Sequence, residues 1–353
     1  MKFETETEIP VSDPVRLMSV FMTHIEEEHD LRFDQEKDGA RSLEQDGFLI
    51  RFKPAPQGLY IRIAGPSESA FVFFKEEISE IVKEIDRTAA VNIRWSKELS
   101  ETGKLPPNFK VLTLKESVCL FEGMQRLTLT HEDIRHFVSE DVHVRMMMPA
   151  DPRRSAVWPR MGANGAPVWP RGEDKLHARF VTLRSVREAE CEVDVDIACH
   201  DGGLVSDWAL QAKPGQTVGM MGPIGSARLK FSQNLFLAAD GTGLGMIARL
   251  LETAPDEATG NVVVAVPADF DVTAYFPKTR LNIITVDPEK FEQEVFDVAV
   301  DLTAPGKTGY AFFAGEFQNA QELRKMFKGR LGLDKNTQLS TAYWRRGVPG
   351  HGS

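Results

Sequence analysis

Cysteine is scarce in this chain: Cys119, Cys191 and Cys199 are the whole complement of its 353 residues. An odd number without C-x-x-C spacing argues against a disulfide framework and against a zinc or iron–sulfur centre, so all three read as small core or barrel residues. Long apolar runs are missing too. Nothing approaches the roughly 18–20 residues that span a bilayer, which excludes a membrane helix. The opening MKFETETEIP has neither a basic n-region nor an apolar h-region, so no secretory leader is read and a cytoplasmic protein is expected. Positive charge is in deficit, with a net charge of -10 and, in the first hundred residues, 13 Lys and Arg against 20 Asp and Glu. Nucleic acid, whose phosphates are bound by Lys and Arg, is excluded as a partner. No Ser–His–Asp, Cys–His or paired-carboxylate constellation stands out.

What is present is enough for several cores. Apolar residues make up 42% and charged residues 27%, and a globular chain of this length divides into two or three domains. Residues 1–97 read as a small α+β domain in the order helix, strands, helix, strand. SDPVRLMSVFMTHIEEEHD has Ser12 or Asp13 as cap and Pro14 at the first helical position. Val15, Met18, Phe21, Met22 and Ile25 then form one stripe. GFLIRFKPAPQGLYIRIAG gives two strands across a Pro/Gly turn, and ESAFVFFKEEISEIVKEID a second helix. His24 and His29 flank three glutamates, but positions i and i+5 share no helical face, so they form no metal site.

After the polar linker SKELSETGKLPPNFK the pattern becomes short strands between turns: VLTLKESVCLF, MQRLTLTH, HVRMMMP, ARFVTLRSV, CEVDVDIACH and QTVGMMGPIG. Six such strands in residues 107–229 imply an antiparallel barrel or sandwich, with WPRMGANGAPVWPRGED as a long surface loop. Residues 230–353 alternate buried strands with helices, as an α/β parallel sheet does.

Three stretches carry chemistry. FLAADGTGLGMIARLL joins a buried strand to a helix through Gly241, Gly243 and Gly245, either to let the backbone approach a pyrophosphate or to pack a tight turn. HDGGLVSDWALQAKPG opens a helix inside the β-rich domain. Its first N–H groups and the Ser206 hydroxyl form an anion site, unless Ser206 only caps and Trp208 is only core. ARFVTLR is a strand carrying Arg179 and Arg184, with Arg179 and Val181 on one face and Phe180 and Thr182 on the other.

Taken in order, these stretches resemble the ferredoxin-reductase-like flavoproteins, and more closely the siderophore-interacting proteins, which are FAD-dependent ferric-siderophore reductases. The family pattern R-x-Y-T-x-R is matched by Arg179, Thr182 and Arg184, and H-x-x-G-x-x-S-x-W by His200, Gly203, Ser206 and Trp208. GPIG at Gly222 to Gly225, AGE ending in Glu316 and YWRRG at Tyr343 to Gly347 are also similar to that family. The likeness covers about residues 107–347, and the first hundred residues resemble a small domain of unknown function sometimes fused ahead of such reductases. Two departures stand out. Val181 replaces the family tyrosine that lies against the flavin, and DGTGLGM stands where DETALPA is usual.

The resemblance implies a barrel that binds FAD and an α/β domain that takes NAD(P)H as electron donor. It implies reduction of a ferric siderophore or other ferric chelate, with ferrous iron released. Arg179 would pair with the flavin pyrophosphate, Thr182, Gly203 and Ser206 would add hydrogen bonds, and His200 would sit beside the ring or ribityl chain. Val181, Arg184 and Trp208 fall in the same cofactor set. Asp240, Gly241, Thr242 and Gly243 would meet the nicotinamide nucleotide, and Glu316 its nicotinamide end. Arg145, Arg228, Arg345 and Arg346 are the candidates to hold an anionic chelate. Lys278 and Arg280 could select the 2′-phosphate of NADPH. No catalytic side chain and no metal ligand is assigned, since the cofactor carries the chemistry, and a monomer is expected. Two other readings stay open: a general NAD(P)H:flavin or electron-carrier reductase, and a binding or regulatory module on a reductase scaffold with weakened flavin binding.

Overall fold

The computed structural model describes residues 3–29, 32–45, 47–97, 101–200, 203–227, 229, 231 and 233–348. By its internal contacts the chain divides into two compact units, Met1–Phe109 with Pro149–Leu176, and Lys110–Met148 with His177–Ser353.

The first unit opens with β1 (Phe3–Ile9), which buries Thr5, Thr7 and Ile9 and exposes Glu4, Glu6 and Glu8. The expected order lacks this strand, because two of its three inward residues are threonines and no apolar alternation is visible. Helix α1 (Pro14–His29) is started by Asp13, whose Oδ1 accepts from the Arg16 N–H at 3.0 Å. Its inward residues include Leu17, Met18 and Phe21, whereas Val15, part of the expected stripe, is exposed. β2 (Asp34–Gln35), β3 (Arg41–Gln45), β4 (Phe48–Ala55) and β5 (Gly58–Gly65) complete an antiparallel sheet in the order β1-β5-β4-β3-β2. Helices α2 (Glu68–Ile85) and α3 (Arg87–Val91) follow, and Phe71, Ile78 and Val82 share one core with Phe21, Phe52, Ile61 and Ile63. The strand expected at Trp95 is not formed. Residues 92–97 instead run beside β1 through separate bonds, such as Ser96 N–H to the Glu6 carbonyl at 2.8 Å and the Thr7 hydroxyl to the Arg94 carbonyl at 2.7 Å.

The barrel begins with β6 (Phe109–Phe121), β7 (Met124–Thr130) and β8 (Asp141–Pro149). The chain then gives residues 149–176 to the first unit, where β9 (Arg160–Met161) and β10 (Pro167–Val168) form a hairpin. The sequence reads this stretch as a surface loop. It is anchored instead: Met161 and Ala166 are buried, Asn164 Nδ2 donates to the Ala90 carbonyl at 3.2 Å, and Trp169 Nε1 donates to Glu76 at 2.6 Å. β11 (Leu176–Arg187), β12 (Glu192–Ala198) and, after helix α4 (Leu204–Gln211), β13 (Thr217–Ser226) close a barrel in the order β11-β12-β7-β6-β13-β8. Its interior includes Leu112, Leu127, Leu129, Val144, Met146, Val193, Val195 and Met220.

The rest is β14 (Leu235–Ala239), α5 (Leu244–Glu252), β15 (Gly260–Ala265), α6 (Val272–Tyr275), β16 (Asn282–Val286), α7 (Pro288–Leu302), β17 (Tyr310–Glu316), α8 (Phe317–Gly329) and β18 (Gln338–Trp344). The strands make a parallel sheet in the order β16-β15-β14-β17-β18. β14 is apolar throughout because both of its faces are covered: Leu237 and Ala239 join one core, Phe236 and Ala238 the other. Strand order reverses at β14, so the carboxyl end of that strand is where this architecture opens a ligand crevice. No helix among the described residues is long and apolar enough to cross a membrane.

Candidate functional site

At the carboxyl end of β14, Asp240 is buried and fully engaged. Its Oδ1 accepts from the Thr242 N–H at 2.8 Å and from the Thr242 hydroxyl at 2.5 Å, and its Oδ2 accepts from Trp344 Nε1 at 2.7 Å. Burial pushes this carboxyl up, against the hydrogen bonds that favour its ionised form. Of the glycines that follow, Gly243 is set by packing: a Cβ there would lie 2.8 Å from Ala239 Cβ and 3.0 Å from Ala314 Cβ. Gly241 and Gly245 face the barrel. A Cβ on Gly241 would lie 3.4 Å from Met124 Cε, and one on Gly245 would lie 3.6 Å from Thr182 Cβ.

Strand β11 therefore meets the first turn of α5. Thr182 is buried, with Oγ1 3.3 Å from His143 Nδ1. Arg179 and Val181 are half-buried, and Val181 packs against the barrel core. The Arg179 guanidinium donates to the carbonyl of its neighbour Ala178 at 2.6 Å and makes no ion pair among the described residues. Arg184 is placed differently. Its Nη1 donates to Glu252 of α5 at 2.6 Å and its Nη2 to the Tyr275 carbonyl at 2.7 Å, with the guanidinium 4.9 Å from the Tyr275 ring. Arg184 thus ties the barrel to the α/β domain.

His200, Gly203 and Ser206 come together at the start of α4. A Cβ on Gly203 would lie 2.6 Å from Ser206 Oγ and 2.7 Å from His200 Cε1, so a side chain there would have to displace the Ser206 hydroxyl and the His200 ring. Ser206 is buried and does not cap; its hydroxyl donates to the Ala198 carbonyl at 3.4 Å. Trp208 packs against the barrel core. Gly202 lies outside the described residues.

Glu316 is buried and acts as the cap of α8, with Oε2 accepting from Gln318 N–H at 2.5 Å and Oε1 from Arg346 N–H at 3.2 Å. The Arg346 side chain is neutralised by Glu292, both of whose oxygens lie 2.7 Å from Nη2. Arg345 is exposed, stacks 4.5 Å over Phe317 and has no acidic partner among the described residues. Arg145 stacks 5.1 Å over Phe180. Arg228 lies outside the described residues, and Lys278 and Arg280 are exposed just before β16.

The sequence misses His143. On β8 the buried positions Val142, Val144 and Met146 alternate with the half-buried His143 and Arg145, so His143 shares its face with Arg145. That parity was the available signal. The ring rests on the GPIG turn, where β13 slips register against β8 between Met221 and Ile224 and a Cβ on Gly225 would lie 2.8 Å from His143 Cδ2.

The residues fit an FAD. A half-buried guanidinium without an anionic partner suits a pyrophosphate, and the N–H groups at the start of α4 and the glycine-lined approach at Gly241 give backbone access for phosphates.

Residues 114–227 match the family described as siderophore-interacting FAD-binding domain, and residues 232–347 the family described as siderophore-interacting protein. Among curated relatives, the NADPH-dependent ferric-chelate reductase of Escherichia coli (strain K12) is 26% identical over 241 residues, covering 67% of this chain and 92% of that protein. The ferric vibriobactin reductase of Vibrio cholerae is 26% identical over 235 residues, covering 64% of this chain and 85% of that protein. A siderophore utilization protein from T. fusca shares the fold, with a TM-score of 0.59 at 23% identity over 71% of this chain and 98% of its own.

Proposed function

The chain belongs to the siderophore-interacting protein family, and from that premise we propose that it is an FAD- and NAD(P)H-dependent reductase of ferric siderophores or related ferric chelates. The observation that carries this reading is the meeting of two seats: Thr182 on the barrel strand lies beside Gly245 at the first turn of α5, close enough that a Cβ on the glycine would touch Thr182 Cβ at 3.6 Å. A cofactor held along β11 and a nucleotide held at the end of β14 are thereby adjacent, as transfer between them requires.

An FAD held by these residues would supply hydride acceptance from NAD(P)H and single-electron donation, which would let one nicotinamide serve two ferric centres. The work of this chain is binding and orientation. Arg179 offers its unpaired fork to the pyrophosphate. Gly203, beneath His200, keeps the start of α4 open to the cofactor, and the buried Thr182 hydroxyl points a dipole into the seat. Asp240, fixed by Thr242 and Trp344, holds the turn that receives the nucleotide. Arg345, exposed and without an acid partner, is the strongest candidate to attract an anionic chelate, whereas Glu292 already claims Arg346. The domain boundaries proposed are 1–97, 107–229 and 230–353, with residues 149–176 belonging to the first unit.

An anaerobic absorption titration tests this. Protein reconstituted with FAD is expected to be yellow, to bleach on adding NADPH or NADH, and to recover its colour on adding a ferric chelate while a ferrous-specific dye develops. Absence of flavin absorption after reconstitution overturns the reading. Reoxidation by a redox protein but not by iron chelates would make it an electron-carrier reductase.

A further inference from the structure

His143 stands between two hydroxyls. Its Nδ1 lies 3.3 Å from Thr182 Oγ1 and its Nε2 lies 3.4 Å from the Tyr343 hydroxyl, with the Tyr343 ring edge-on at 5.8 Å. The imidazole is thus the bridge between the two hydroxyls, one on each of its nitrogens. The three groups come from β8, β11 and β18, and the fold goes to some length to seat them, since Gly222 and Gly225 of β13 both adopt positive φ around the histidine strand. Arg145 shares the strand and face of His143, His136 bonds the Gly222 carbonyl beside that strand at 2.7 Å, Arg179 and Arg184 lie on the strand of Thr182, and Asp240 bears on Tyr343. Burial holds His143 neutral, its value pushed down to about 4, and holds the Tyr343 hydroxyl well above its ordinary range.

A neutral imidazole has one donor and one acceptor nitrogen, and which is which depends on the hydrogen its partners supply. When Tyr343 donates to Nε2, Nδ1–H donates to Thr182, and the Thr182 hydrogen is free to point into the site. In the opposite sense Thr182 donates to Nδ1 and offers the site a lone pair. The change balances through water in the site: Nδ1 gives its hydrogen to Oγ1 of Thr182, which passes its own to that water, while Tyr343 gives its hydrogen to Nε2 and takes one back from the water. No net charge moves.

We propose that His143 is a positioning residue for the flavin, its two tautomers reversing the polarity of Thr182 so that this hydroxyl donates to an oxidised cofactor and accepts from a reduced one. The chemistry asks for such a device, because ring nitrogens of the isoalloxazine are bare in one oxidation state and carry hydrogen in the other. The inference rests on the reading that FAD lies along β11.

The test is a double-mutant cycle read as the midpoint potential and affinity of bound FAD. His143→Phe keeps a ring on the glycine bed without its nitrogens. It is expected to change the preference for reduced over oxidised FAD about tenfold, or about 30 mV for a two-electron couple, while in a Thr182→Val background it changes nothing further. If the phenyl ring does not fold there, Tyr343→Phe poses the same question by removing the hydrogen that sets the tautomer. A potential unmoved by His143→Phe, or a shift that persists undiminished in Thr182→Val, overturns the proposal. Wild-type protein that takes up no FAD overturns the functional reading beneath it, which is a different result.

Discussion

Removing one oxygen atom from Tyr275 should loosen the joint between barrel and α/β domain. The hydroxyl of Tyr275, on α6, donates at 2.7 Å to Oδ2 of Asp196 on β12. Asp196 is gripped as well by Arg126 of β7 through bonds of 2.7 and 2.8 Å, and its side chain is only 2% exposed. The Tyr275 ring has the Arg126 guanidinium 5.5 Å from its centroid and the Arg184 guanidinium at 4.9 Å. Tyr275→Phe keeps the ring and both cation–π contacts, so what it removes is one hydrogen bond to a buried carboxylate that water cannot reach. A bond to a charged group is worth about 1.5–3 kcal/mol, and for a body of this size each kcal/mol moves Tm by about 2–4 °C. The expected fall is about 3–12 °C. Tyr275→Leu also loses the π face seen by both arginines, at about 0.5–2 kcal/mol each, and should fall further. Scanning calorimetry at fixed FAD concentration is the assay, since bound ligand shifts Tm by mass action. A Tyr275→Phe midpoint within a degree of wild type, or a leucine variant no worse than the phenylalanine one, would refute the account of this joint.

Three further outcomes follow from the site. Arg179→Ala should weaken FAD roughly 10- to 100-fold by removing a charge-assisted pair of about 1.5–3 kcal/mol. The melting of the FAD-free protein should stay unchanged, because Arg179 has no acidic partner to orphan among the described residues; a fall in that melting point instead would make the residue structural. Val181→Tyr should tighten FAD several-fold, aromatic stacking being worth about 0.5–1.5 kcal/mol, and fluorescence titration showing no change would mean that the isoalloxazine lies elsewhere. The third outcome concerns His143, which takes up its proton near 6.5 when unfolded and near 4 when folded. Between those values the unfolded chain binds more protons, so stability is lost as pH falls through that window, by roughly 3 kcal/mol. Urea midpoints from pH 7 down to pH 4.5 should show that slope in wild type and a flatter one in His143→Gln; parallel curves would contradict it.

The parts of this molecule written locally were legible in its sequence, and the parts assembled from distant strands were not. The six barrel strands and the α/β alternation announce themselves because apolar period and turn chemistry are properties of a few adjacent residues. β1 escaped because threonine fills two of its inward positions, and residues 149–176 escaped because a Pro- and Gly-rich stretch reads as a loop whether or not its Met161 and Ala166 find a core. Within the site, Arg179 and Arg184 look equivalent as neighbours on one strand, yet the first has no acidic partner among the described residues and the second is taken by Glu252, 68 residues away. Charge along a sequence says nothing about whether the partner is a ligand or the protein itself.

His143 shows the same limit from the other side. A lone histidine on a strand is most often a satisfied residue, and this one is satisfied, by Thr182 at a separation of 39 residues and Tyr343 at a separation of 200. What makes it more than that is where its partners stand. Thr182 faces Gly245 at the mouth of the nucleotide crevice, and Tyr343 adjoins Trp344, which holds Asp240. The GPIG turn fits a resemblance by its letters, but its physical task in this fold is to clear space beside the ring: any side chain at Gly225 would meet His143 at 2.8 Å. A motif that matches the family by its letters thus serves first the histidine beside it, the residue proposed above to orient Thr182, and only the closed barrel puts the two together.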